Sequence, residues 1–284
     1  MATTKTSSPK PVTDKARIRR ILDILQQHYG GTTTALNYRN PFELLIAVML
    51  SAQTTDVYVN KVTPALFARF PDAKAMAQAD IEEVARLIKG VSFYPTKAKN
   101  VVATSRILVE QYGGEVPGDW DALVAMPGVG RKTANVVVAT AFGQPAIAVD
   151  THVFRVSNRL GLATATTPEE TERQLQRAIP RELWSEAHHW LIWHGRKICK
   201  APTPRCEVCF LTAECRYFQS LTPGKVSGKR ADGSTTSPKT ARTHKAAATR
   251  AAASPVPTPP ATGPSQAKSA ASPTPAPKPR RRKS

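Results

Sequence analysis

Lys132 stands two residues beyond a Gly-x-Gly pair, within Leu123–Val138, LVAMPGVGRKTANVVV. Gly128 and Gly130, on either side of Val129, suit a tight turn that needs positive φ and close backbone approach, and Pro127 fixes the entry angle. The pattern predicts a short helix, a hairpin, and a second helix that begins at Arg131 or Lys132. The N–H groups of the hairpin then face outward beside a helix N-terminus, a ready site for a phosphate. Lysine is usually placed in the last turn of a helix, where it meets the negative end of the dipole, so one in the first turn runs against the stabilising pattern. Such an amine is a candidate nucleophile toward a carbonyl or masked-aldehyde carbon. The plain alternative is a surface lysine that meets phosphate.

All four cysteines fall near the end of the apolar-patterned chain, as Cys199-x6-Cys206-x2-Cys209-x5-Cys215. Four thiolates can close a tetrahedral zinc site or a 4Fe-4S cube. Zinc ribbons tend to pair two short knuckles, whereas here there is one, and its longer flanking gaps suit the larger cluster. Their clustering argues for a shared metal site over a disulfide framework. Lys200 and Arg205, in the loop between the first two thiols, are candidates to meet phosphate or to stand as solvated charges.

The elements that must position these residues are helical. Ile18, Ile21, Leu22 and Leu25 keep helical spacing up to Gly30-Gly31,. Asn40-Pro41 is a cap and first-turn pair for PFELLIAVML, whose continuous apolarity predicts a helix buried on most sides. A polar break, Ser51 to Asp56, separates it from the next helix. Asp80 with Glu83 resembles a capping box for IEEVARLIKG, stopped by Gly90. Thr96 is placed to cap a helix running to Gly113-Gly114. Gly143 closes the helix that carries Lys132, and Pro145 to Asp150 is a short apolar connector. Asp150 is a natural cap for the helix from His152 to Leu160. Thr167-Pro168 opens a helix through Ile179, and a last long helix runs from Arg181 to His194. No strand alternation stands out, so the fold class is all-α, with about ten short helices.

The chain has 284 residues and 40 Lys+Arg against 21 Asp+Glu, a formal net charge of +19. Much of that charge lies beyond Ser220, where Ala, Pro, Ser, Thr and Lys/Arg dominate and aromatic residues vanish. This segment, 221–284, is expected to be a disordered basic tail, and residues 1–15 a disordered N-terminus. The basic body suits a nucleic-acid partner. No apolar run reaches membrane-spanning length and the N-terminus lacks a secretory core, so an intracellular protein without a membrane partner is expected.

LVAMPGVGRKTANVVV, the segment AIAVDTHVFRVSNRLG and the C-x6-C-x2-C-x5-C ending occur here in the order and at the separations of the endonuclease III family. LLIAVMLSAQTTDVYVNKV is similar to that family's upstream helix and loop. The resemblance covers about residues 15 to 218. It implies a DNA glycosylase and abasic-site lyase that removes oxidised pyrimidines from duplex DNA, working as a monomer in a bacterial cytoplasm. It also implies a helix-hairpin-helix glycosylase fold: a six-helix barrel at 34–144, containing the hairpin unit at 123–138, and a helical domain from both chain ends, 16–33 and 145–220, that holds a 4Fe-4S cluster on Cys199, Cys206, Cys209 and Cys215. Lys132 would be the nucleophile and Asp150 the catalytic carboxylate. Gln53 would fill the gap left by an extruded nucleotide, and Phe93 would be an apolar wedge between base pairs. Ser92 stands where that family commonly has glycine, and Pro95 stiffens the wedge segment. His152, beside Asp150, is expected to serve helix packing. Two alternatives share parts of the pattern: an adenine-mismatch glycosylase, which normally lacks the lysine, and a non-catalytic iron-sulfur protein that clamps DNA with the hairpin.

Overall fold

The computed structural model describes residues 14–221, which lie within one compact unit. The expected N-terminal segment and basic tail lie outside the described residues, apart from Asp14, Lys15 and Leu221. No β-strand occurs among the described residues, and no helix there is long and apolar enough to cross a membrane. The all-α expectation holds.

Twelve α-helices follow in order among the described residues: α1 Lys15–Tyr29, α2 Pro41–Ser51, α3 Asp56–Arg69, α4 Ala73–Ala77, α5 Ile81–Leu87, α6 Tyr94–Tyr112, α7 Trp120–Val124, α8 Arg131–Phe142, α9 Thr151–Leu160, α10 Pro168–Ala178, α11 Trp184–Lys197 and α12 Arg216–Leu221. Their starts follow the chemistry of capping. The side chain of Asn40 accepts from the Glu43 N–H, that of Thr55 from Tyr58, and that of Thr167 from Glu170,. Each satisfies an N–H that the first helical turn leaves unpaired.

Two expected caps differ. α6 begins at Tyr94, so Thr96 lies inside its first turn. Phe93 precedes the helix in a left-handed conformation, and Pro95 occupies the first turn, where its missing N–H costs nothing,. At α5 the Asp80 side chain accepts from the Glu82 N–H, but Glu83 does not reach back to complete a box. Its carboxylate pairs with Arg69 at 2.7 Å, a partner brought close only by the tertiary fold.

The helices enclose two apolar cores. The first is centred on α2, whose residues Phe42 to Leu50 are all buried, as the continuous apolar run predicts. Leu44, Leu45, Ile46 and Leu50 have no exposed surface, and each such side chain contributes about 1.5–3 kcal/mol. Helices α3 to α8 pack around it. The second core joins α1 to α9, α10, α11 and the cysteine loop, with Ile21, Leu25, Val153, Val156, Trp190 and Leu191 inside. The chain passes between cores within the connector, since Ala146 belongs to the first and Ile147 to the second.

Buried Arg17 ties the second core together. Its guanidinium donates to the carbonyls of Leu160 at 2.9 Å, Gly161 at 2.9 Å and Glu214 at 2.7 Å. Those acceptors include the open end of α9, where a cation also meets the negative end of the helix dipole.

Candidate active site

The hairpin between α7 and α8 has one strained glycine, not two. Gly128 has φ +77, and a Cβ there would lie 2.8 Å from Nδ2 of Asn100. Gly130 has φ −90 and ψ 174, an extended conformation open to any residue, and it is the N-cap of α8. A Cβ there would stand in open space. Val129 is buried in the first core and its N–H donates to the Met126 carbonyl, so this N–H of the hairpin is used within the turn and does not face outward as expected. Since α8 starts without a side-chain cap, its first N–H groups remain open to an external anion,.

Lys132 is exposed in this uncapped first turn, as the spacing predicts. The next residue of interest is placed by the connector. Asn135, buried on α8, donates to the Ile147 carbonyl at 2.9 Å and accepts from the Trp120 indole at 2.6 Å. From α11, His188 Nδ1 lies 2.7 Å from the Ala148 carbonyl. Burial holds the His188 imidazole well below its ordinary value, with His189 pushing the same way, so the ring is neutral and Nδ1–H is the donor,. The connector is thus gripped at consecutive carbonyls just before Asp150.

Asp150 caps α9, its Oδ1 accepting from the N–H groups of His152 at 2.9 Å and Val153 at 2.7 Å. It also lines an open cleft of about 1140 Å³ together with Lys132, Gln53, Asp56, His152, Trp193 and Arg196. A smaller recess of about 70 Å³ beside it is again lined by Lys132 and Asp150, with His188 at its wall. An amine at a helix N-terminus and a half-buried carboxylate thus face one cleft large enough for a nucleotide.

Sequence reasoning missed the ion pair between Asp56 and Arg196, at 2.6 Å, on the cleft wall. The two residues lie far apart in the chain, and only Asp56, at the end of the polar break, carried a local signal. His152 is half-buried. Its Nδ1 accepts from Arg155, and its Cβ would lie 2.9 Å from a Cβ on Gly195, so it packs α9 on α11 while also lining the cleft.

Gln53 and Phe93 are both exposed, and Phe93 retains 65% of its surface. Phe93 is therefore not a core aromatic. Lys200 is exposed. Arg205 is exposed too, 3.8 Å from the Glu207 carboxylate. The four cysteines line one small cavity with His194, Arg205, Tyr217 and Phe218. None is in a disulfide. Arg159 donates to Cys199 Sγ at 3.5 Å, and His194 Nε2 is 3.7 Å from Cys209 Sγ.

Residues 46–181 match the HhH-GPD superfamily of base excision DNA repair proteins. Endonuclease III of Escherichia coli (strain K12) is 50% identical over 208 residues, covering 73% of this chain and 99% of the relative. The chain belongs to the endonuclease III family. It is a base-excision DNA glycosylase with abasic-site lyase activity. Endonuclease III of Bacillus subtilis (strain 168) is 49% identical over 204 residues, covering 72% of this chain and 93% of the relative. A solved endonuclease III trapped as a covalent intermediate with DNA superimposes with TM-score 0.70 at 46% identity, covering 74% of this chain and 99% of that one. A thermostable thymine-DNA glycosylase shares the fold, with TM-score 0.66 at 23% identity, covering 72% of this chain and 98% of that one. The helix-hairpin-helix glycosylase fold expected from the sequence is therefore the fold of this endonuclease III family member.

The hairpin gives a first test. Gly128→Ala adds a Cβ at positive φ and against Asn100, which is expected to cost about 1–3 kcal/mol of stability. Thermal melting checks the cost. DNA affinity in a filter or anisotropy assay should fall as the hairpin shifts, whereas Gly130→Ala, with room for its methyl, should leave the melting temperature unchanged.

Proposed function

We propose that the chain removes oxidised pyrimidines from double-stranded DNA with Lys132 as nucleophile and Asp150 as its catalytic carboxylate, then cuts on the 3′ side of the abasic site. The observation that carries this reading is the shared cleft, onto which Lys132 from α8 and Asp150 from the cap of α9 both open. The covalent DNA intermediate captured for a 46% identical endonuclease III supports it, as does that protein's non-covalent DNA complex.

The steps follow from the groups. The Lys132 amine attacks C1′, the N–C1′ bond forms, and the glycosidic bond breaks as the damaged base leaves with its electron pair. Asp150 stabilises positive charge that develops at the sugar and accepts or relays the proton the amine must lose. Ring opening gives a Schiff base. Loss of a proton from C2′ then expels the 3′ phosphate, and hydrolysis frees the lysine. A target base is shielded in the duplex, so it must leave the stack first. Gln53 and Phe93 are read as the residues that enter the helix, filling the vacated space and parting the adjacent step. Gly128 and Gly130, with the uncapped first N–H groups of α8, are read as a backbone phosphate clamp that the buried Val129 anchors, with Lys200 and Arg205 reaching the phosphates further along.

The two apolar cores support the division into a barrel at 34–144 and a second domain from 16–33 and 145–220. The cysteine cavity fits a 4Fe-4S cluster. Four thiols outside any disulfide line one small space, the donor set that such a cluster takes,. Cys199, Cys206, Cys209 and Cys215 would hold the cluster, which would order their loop. Purified protein is then expected to contain about four iron atoms per chain. Cys209→Ser should lower iron content and DNA affinity together, measured by iron assay and anisotropy. The bacterial relatives support a bacterial cytoplasm as the site of action.

Borohydride trapping tests the reading. Reduction should fix a covalent adduct on a duplex with one thymine glycol and on a duplex with one abasic site. An adduct on the abasic duplex alone would reduce the activity to that of a lyase or point to a different damaged base.

A further inference from the structure

Gln53 and Phe93 share a property that no other non-glycine residue has among the described ones. Both have positive φ, 56° and 57°. For a residue with a Cβ this left-handed conformation costs roughly 1–2 kcal/mol, and it persists where surrounding structure enforces it. The two lie on different loops, Gln53 between α2 and α3, Phe93 between α5 and α6.

The enforcing structure is a set of hydrogen bonds from one loop to the other. Lys97, on α6, donates to the carbonyls of Leu50 at 2.7 Å and Ala52 at 2.5 Å, closing the end of α2. Tyr58, on α3, donates to the Lys89 carbonyl at 2.9 Å. Between these anchors Ser92 makes two bonds. Its N–H donates to Thr54 Oγ1 at 3.0 Å and its hydroxyl donates to the Gln53 carbonyl at 2.6 Å. Ser92 is half-buried and directly precedes Phe93. It alone holds the carbonyl of one left-handed residue while adjoining the other in the chain.

We propose that Ser92 is a positioning residue that locks Gln53 and Phe93 into one preformed wedge, so that both enter the DNA in a single step. The proposal rests on the reading of those two residues as the ones inserted into the duplex. The backbone N–H of Ser92 would survive any substitution except proline, so the hydroxyl is the part specific to serine. Without it the Gln53 carbonyl loses its donor, the left-handed turn is held by fewer contacts, and the two tips move independently. That raises the cost of extruding a base at the moment of binding. An abasic site has no base to extrude and so needs the lock least.

The test compares Ser92→Ala and Ser92→Thr with the unmodified full chain. Stopped-flow fluorescence of 2-aminopurine placed beside thymine glycol reports extrusion. Single-turnover base release and cleavage of a preformed abasic site report the chemistry. For Ser92→Ala the expected result is extrusion and base release slowed about five- to tenfold, with abasic cleavage changed less than about twofold. Ser92→Thr, which keeps the hydroxyl, should restore both rates. If Ser92 acts through the two tips, then adding Ser92→Ala to a variant carrying both Gln53→Ala and Phe93→Ala should slow extrusion by less than about twofold more.

Unchanged extrusion in Ser92→Ala, with Gln53→Ala and Phe93→Ala both slow, would overturn the lock and leave the insertion reading standing. Unchanged extrusion in all three would overturn both. Equal slowing of extrusion and abasic cleavage, without rescue by threonine, would overturn the lock in favour of a general folding role, which a lowered melting temperature would reveal.

Discussion

Lys132→Ala is expected to lower strand cleavage at an abasic site by about 10³-fold or more and to abolish borohydride trapping, with DNA affinity held within about threefold. The size of the effect follows from the role proposed for the amine. Without it no Schiff base forms, and elimination loses the electron sink that acidifies the C2′ proton. Affinity should survive because Lys132 is exposed and its truncation strands no buried partner. The remaining phosphate contacts come from the hairpin backbone. Lys132→Arg sharpens the test, since guanidinium keeps the positive charge but stays protonated and cannot attack. Gel assays of single-turnover cleavage measure both variants. Cleavage retained in Lys132→Arg would return the residue to the plain role of a phosphate contact.

Asp150→Asn is expected to reduce single-turnover base release by about 10²- to 10⁴-fold, with little change in melting temperature. Asparagine caps a helix about as well as aspartate. The two N–H groups of His152 and Val153 would therefore keep their acceptor, and α9 would stay in place. What is lost is the negative charge on the cleft wall. Asp150→Ala removes the cap as well and should cost about 1 kcal/mol of stability beyond its loss of activity. Full activity in Asp150→Asn would make the residue a structural cap with no part in the reaction.

The local part of this structure was legible in the sequence. Asn40, Thr167 and Asp150 cap where their side chains predict, and Gly143 ends its helix at positive φ. These features depend on residues three or four apart, so spacing alone exposes them. The failures at Thr96 and Glu83 came from competition: Pro95 took the first turn of α6, and Arg69 took the carboxylate that a capping box required. Gly130 was misjudged because a glycine in an extended, open position leaves the same mark in a sequence as one that needs positive φ. Lys132, Asp150 and the cysteine array stood out because their separations fit one family in combination. The grip of His188 on Ala148 and the Asp56–Arg196 pair left no such trace, since each joins segments far apart along the chain.

The held connector has a consequence for how this enzyme can be taken apart. Lys132 rides on a helix of the first core and Asp150 caps a helix of the second, with Asn135 and His188 clasping the short strap between them. On the proposed mechanism, neither half owns the reaction. A hybrid that joined the first half of this protein to the second half of a relative would inherit both residues proposed for the reaction, yet on that proposal it would turn over only if the graft carried the strap together with both of its clasps.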